Sequence, residues 1–186
     1  MRLSDELPPD VKLVIAPRHF EKADAVEANI LKAGCRCIRR SREQTATGET
    51  PNSQLTTPNS KPCSVYLADT TGELMGLFGI ASVAFVGKSL CAHGSQNMIE
   101  PCLCGVPTVV GPYTENFRPV MSDLLAADAI LQVKDEAGLR QALLANLSAE
   151  GQTAARALGE RARAAVERRR GATDRCARDI LRCVGM

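Results

Sequence analysis

A doubly wound α/β fold, with about six parallel strands and helices on both faces, follows from three features of the 186-residue sequence. Strand-length apolar runs alternate with segments of helical period from end to end. The runs are continuous rather than alternating with polar residues, as in strands covered on both faces. The polar clusters fall directly after strands, at the carboxyl edge where such sheets take their ligands.

Each element has a local signature. The run at 11–17, VKLVIAP, reads as a first strand closed by Pro17. EKADAVEANILKAG has helical period, with Ala25, Val26, Ile30 and Leu31 on one side and Gly34 as its stop. CRCIRR is the second strand. From about 43 to 62 the chain is nearly all Thr, Ser, Asn, Gln, Pro and Gly, too polar for a core, and reads as a flexible loop. CSVYLAD (63–69) is the third strand, and the helix after it starts on Thr70-x-x-Glu73, a capping-box pattern. SVAFVG (82–87) is the fourth strand. A short helix over 97–104 leads to the fifth, PTVVG, at 107–111. ENFRPVMSDLLAADA is mainly helical, AILQV is the last strand, and DEAGLRQALLANL is a helix. A long Ala/Arg-rich helix runs from about 149, with Gly171 as its candidate break. Together they predict one Rossmann-like domain over 1–186.

Bulk properties narrow the function. The chain is 45% hydrophobic with six aromatic residues and no Trp, so its core is aliphatic. A net charge of +2, without a basic and aromatic stripe, argues against nucleic acid as a partner. No apolar run approaches the roughly 18 residues of a membrane span, so this polypeptide reads as soluble. The eight cysteines form no C-x-x-C pair and meet only two histidines, which favours buried reduced thiols over disulfides or zinc.

The strand ends select the candidate residues. Arg18 and His19 follow the first strand, Asp69 to Glu73 the third, Gly87 to Asn97 the fourth, and Gly111 to Phe117 the fifth. Helix starts at DTTGEL and at GKSLCAHGSQN suit a phosphate or carboxylate, although neither is a dinucleotide or P-loop motif. Two helix ends at ~0.3–1 kcal/mol each fall short of the ~8 kcal/mol of micromolar binding. Charged, directional partners must supply the rest. Arg18 can grip an oxyanion with two donors, and Lys88 acts as a point charge. Arg18 as an ion-pair partner, Lys88 as a solvated cation, His19 as loop packing and Glu73 as a cap remain alternatives. Pro101 fits poorly at the fourth position of a helix capped by Asn97, which leaves Glu100 available to a ligand hydroxyl.

Five segments in fixed order, APRH (16–19), LADTTGEL (67–74), ASVAFVGKSL (81–90), HGSQNMIEP (93–101) and GPYTENF (111–117), resemble the C-terminal half of 3-deoxy-D-manno-octulosonic acid (Kdo) transferases. These bacterial enzymes add Kdo to a lipid A precursor in lipopolysaccharide biosynthesis. The resemblance runs from about residue 12 to the final helix and is densest over 67–119. It departs where many members have Gly-Gly-Ser in place of Gly87-Lys88-Ser89, Gly-Gly-His-Asn in place of Gly94-Ser95-Gln96-Asn97, and Pro in place of Phe20.

What the resemblance implies is the donor-binding half of a GT-B glycosyltransferase, holding CMP-Kdo without a metal or other cofactor. Arg18 would stabilise the leaving phosphate, beside His19. Thr71, Gly72 and Glu73 would line the nucleotide, near Lys88 and Ser89. Gly94, Gln96 and Asn97 would present donors to the phosphate and the Kdo carboxylate. Glu100 would accept from the ribose hydroxyls, and Asn116 with Phe117 would close the pocket. The general base, the anchor and the lipid acceptor site belong to an N-terminal half outside this chain, which is therefore expected to be inactive alone. The full-length protein is expected at the cytoplasmic face of the inner membrane. RARAAVERRR (161–170) reads as a solvated basic face, with attraction to anionic lipid as the minority reading. The competing functions are a stand-alone nucleotide- or phosphate-binding module, and a GT-B relative that uses a UDP-sugar or acts as an epimerase.

Overall fold

A computed structural model describes residues 11–43, 64–91 and 93–184. The polar loop, apart from Glu43, lies outside the described residues, as do the first ten residues, Cys63, Ala92 and the last two. Two compact units divide the chain, Met1–Leu74 and Met75–Met186.

In the first unit, β1 (Leu13–Ile15), α1 (Ala23–Lys32), β2 (Arg36–Arg39), the single turn α2 (Arg40–Glu43) and β3 (Ser64–Leu67) build a parallel sheet in the order β1-β3-β2. β3 is central: Leu13 to Ile15 pair with Val65 to Leu67, and Arg36 to Arg39 with Ser64 to Leu67. Ala23 and Ile30 of α1 close over Val65 and Leu67, with Ile15, Val26, Cys35 and Cys37 around them. Leu13 and Val14 on the edge strand stay exposed, unlike a strand covered on both faces.

The second unit holds α3 (Leu74–Gly79, whose first residue belongs to the first unit), β4 (Ala84–Phe85), α4 (Ile99–Leu103), β5 (Thr108–Val110), α5 (Arg118–Ala126), β6 (Leu131–Gln132), α6 (Glu136–Leu147), α7 (Gln152–Glu167) and α8 (Ala172–Cys183). Its strands are parallel too, in the order β4-β5-β6. The predicted strands therefore all form and all pair in parallel. They do so as two three-stranded ladders, one in each unit.

The core of the second unit is aliphatic, as the composition requires. Met98, Cys102, Val110, Leu124 and Ala129 are fully buried, against Ala162, Ala165 and Val166 of α7. Burying a side chain such as Leu124 contributes about 2 kcal/mol. The buried positions of α7, Ala155, Leu158, Ala162, Ala165 and Val166, recur at helical spacing and face α4, α5 and α6. Asp135 caps α6 by accepting from the Gly138 N–H at 2.8 Å. The long helix expected from 149 is two helices, separated by Gly171 in the left-handed region.

Candidate functional site

The carboxyl edge of the first unit is an ion-pair lattice. β2 runs straight into Arg40-Ser41-Arg42, and β3 runs into Asp69. The Asp69 carboxylate accepts from the Ser41 N–H at 2.9 Å, the Ser41 hydroxyl at 2.6 Å and Arg39 Nε at 2.5 Å. Burial raises its carboxyl, but the bonds from Ser41 and Arg39 outweigh that and hold it at about 2. Arg39 also pairs with Asp24 and Glu27, and Arg42 with Glu27.

Glu73 does not complete a capping box. Arg40 holds its carboxylate by two nitrogens, at 2.7 to 3.2 Å, and the Thr70 hydroxyl donates to it. These bonds lower the Glu73 carboxyl, Arg40 contributing most. With Gly72 in the left-handed region, the helix begins only at Leu74. Thr71 and Gly72 are exposed on this turn. Arg18 and His19 are exposed in the loop after β1, where the His19 carbonyl starts a short 3-10 turn. Among the described residues Arg18 has no carboxylate partner, so the ion-pair alternative for it finds no support there.

In the second unit, the ends of β4 and β5 are stitched by Ser89. Its fully buried hydroxyl donates to the Val86 carbonyl at 2.6 Å and accepts from the Gly111 N–H at 2.8 Å, while its carbonyl accepts from Tyr113. A Cβ at Gly111 would lie 2.2 Å from the Ser89 carbonyl oxygen, so only glycine permits this crossing. The sequence reading sets Ser89 against the ligand; the structure places it inside the fold. Lys88, beside it, is exposed at φ 68°, again with no carboxylate partner among the described residues.

The turn His93 to Asn97 is fastened residue by residue. Gly94, at φ 77°, donates its N–H to Glu115 Oε2 at 2.9 Å, and Glu115 Oε1 lies 3.4 Å from His93 Nδ1. The Glu115 carboxyl is lowered by its own N–H first and by that of Gly94 next. Ser95 N–H donates to Asn116 Oδ1 at 2.9 Å, and Asn116 Nδ2 returns a bond to the Ser95 carbonyl at 3.0 Å. Gln96 N–H donates to the Gly87 carbonyl at 3.2 Å. The backbone donors expected of Gly94 and Gln96 are therefore engaged within the protein. The side-chain amide of Gln96 has no protein partner among the described residues. Asn97 accepts from the Ile99 N–H and donates to Glu100 Oε1, each at 2.9 Å.

This Asx turn moves the start of α4 to Ile99, two residues later than expected. Pro101 becomes the third helical residue, which needs no N–H, and the first intrahelical bond runs from Cys102 to the Met98 carbonyl. Phe117, expected at the pocket mouth, packs partly buried against the hydrophobic core.

Sequence reading overlooks Arg40 and Ser41, and it reaches Asp69 and Glu115 only as members of the stretches after the third and fifth strands. Their only signal is position after a strand; their partners lie 21 to 33 residues away. The basic segment 161–170 is tied down: Arg161 to Asp128, Arg163 to Glu167, Arg169 to Asp123 and the Pro119 carbonyl. That favours its reading as a surface face of the fold. Among the described residues no three His, Cys, Asp or Glu side chains are grouped to hold a metal ion, and no helix is long and apolar enough to cross a membrane. The seven described cysteines are free; Cys102 is buried, whereas Cys91, Cys176 and Cys183 are exposed.

Comparison with known proteins places these features in context. No protein-family model matches the chain. It is 37% identical over 164 residues to the 3-deoxy-D-manno-octulosonic acid transferase of Bordetella pertussis, covering 88% of this chain and 35% of that protein. It is 35% identical over 129 residues to the transferase of the same name from Haemophilus influenzae (strain ATCC 51907 / DSM 11121 / KW20 / Rd), covering 69% and 27%. The chain thus spans about a third of the length of these relatives or less. Among solved structures, the C-terminal CMP-Kdo binding domain of WaaA from Acinetobacter baumannii superposes with a TM-score of 0.67 at 30% identity, over 82% of this chain and 72% of that domain.

Proposed function

Because the chain belongs to the 3-deoxy-D-manno-octulosonic acid transferase family, we propose that it is the donor-binding domain of such an enzyme and holds CMP-Kdo. The match to a domain described as CMP-Kdo binding carries this reading. The polar side chains gathered after β4, Gln96, Asn97 and Glu100, support it.

In this proposal the roles that the family resemblance implies are taken within each unit separately. Arg18, with no carboxylate partner among the described residues, takes the leaving phosphate, and Thr71, Gly72 and Glu73 line the nucleotide beside His19. Lys88 adds a positive charge. Gln96 donates to the phosphate or to the Kdo carboxylate, with Asn97 beside it. Glu100, held by Asn97 and carrying a second carboxylate oxygen, accepts from the ribose hydroxyls. Departure of CMP leaves an oxocarbenium-like sugar while negative charge builds on the phosphate. A guanidinium or an amide donor beside the phosphate stabilises that charge as it forms.

The family resemblance extends the proposal to the whole enzyme. Its general base and its lipid A precursor site lie outside this chain, it works without a metal, and it acts at the cytoplasmic face of the inner membrane. The test at this level is Glu100→Gln, which is expected to weaken CMP roughly tenfold, a charge-assisted hydrogen bond's worth, and to leave inorganic phosphate unaffected. Equal losses for the two ligands would contradict the ribose role.

A further inference from the structure

The loop after β5 reaches back over the loop after β4, and its grip centres on one residue. Asn116 bonds both the N–H and the carbonyl of Ser95, at 2.9 and 3.0 Å, as a neighbouring strand would. Ser95 is buried, and its own hydroxyl donates to the Gln96 carbonyl at 2.9 Å. The next N–H, that of Gln96, is anchored to Gly87. The backbone on the amino side of the Gln96 side chain is thereby fixed at each residue.

Gly94 makes room for this contact. A Cβ there would stand 3.2 Å from Asn116 Oδ1, and the left-handed φ already disfavours a side chain. A donor that must meet an oxyanion gains from being held in place before the ligand arrives.

We infer that Asn116 is a positioning residue: it clasps Ser95 and so aims the Gln96 amide at the ligand's anionic group, without itself touching the ligand. The inference rests on the reading of this edge as the donor site. It differs from the family-based expectation that Asn116 lines the pocket.

The test is a double-mutant cycle on the full 186-residue chain, with CMP and cytidine as probes in titration calorimetry. Gln96→Ala is expected to weaken CMP about tenfold and to leave cytidine unchanged, because only CMP carries the phosphate. Asn116→Ala is expected to give the same split with a smaller loss. The double variant should lose no more than Gln96→Ala alone, because both act through one amide. Gly94→Ala, which crowds Asn116 from the other side, should reproduce the split even where Asn116→Ala folds poorly.

Losses that add in the double variant would show Asn116 touching the ligand and overturn the inference. Equal losses for CMP and cytidine would reduce Asn116 to a structural role, and unchanged CMP affinity in either single variant would remove the link. A wild-type chain that binds no CMP overturns the donor-site reading and this inference with it. In the three preceding outcomes the donor-site reading survives.

Discussion

Lys88 holds a left-handed backbone, φ 68°, that costs a side-chain-bearing residue about 1 kcal/mol. It is exposed and follows β4 directly, so its charge stands at the carboxyl edge. Strain retained at such a place is expected where the side chain is used. Lys88→Gly should raise unfolding stability by about 1 kcal/mol in a denaturant melt and weaken CMP at the same time. A stability gain with unchanged CMP affinity would remove Lys88 from the site. At this scale the sequence is informative about which residues stand at strand ends and less so about what they touch. Glu73 reads as a cap or a ligand contact; its partner Arg40 is visible only once β2 and β3 lie side by side. Ser89 reads as a site residue because it falls in the stretch after the fourth strand and in a motif shared with the family. Its hydroxyl points inward to Gly111, a contact across 22 residues that no local pattern encodes.

Among the elements, β2 and β3 are joined beyond their ladder by Asp69. Its folded carboxyl, at about 2 against an ordinary 3.8, is depressed. Its contribution is therefore fully present above about pH 4 and is lost as pH falls toward 2. The drop is worth about 2 kcal/mol at neutral pH. Asp69→Asn should lose that amount at pH 7, and its stability should converge on the wild type near pH 2. A constant gap across that range would mean that the bonds to Ser41 and Arg39 act independently of charge. Element type and order are legible in the sequence because apolar runs and helical periods are local. Element starts are less so. α3 begins four residues after Thr70 because Gly72 turns left-handed and Arg40 claims Glu73. α4 begins at Ile99 because Asn97 forms an Asx turn, which also relieves the misplaced proline. The break at Gly171 is read correctly, since a glycine between two helical periods is a local signal.

For the molecule as a whole, the parallel α/β class is legible because continuous apolar strands require cover on both faces. The division into two three-stranded ladders is not, since hydrogen-bonded partnership between strands leaves no trace in periodicity. Membership of the Kdo transferase family accounts for the five ordered motifs. We propose that this chain selects a cytidine nucleotide. Titration of the purified chain with CMP and with UDP under identical conditions decides it. Saturable binding of CMP with UDP markedly weaker is expected; UDP binding well while CMP fails would overturn the assignment.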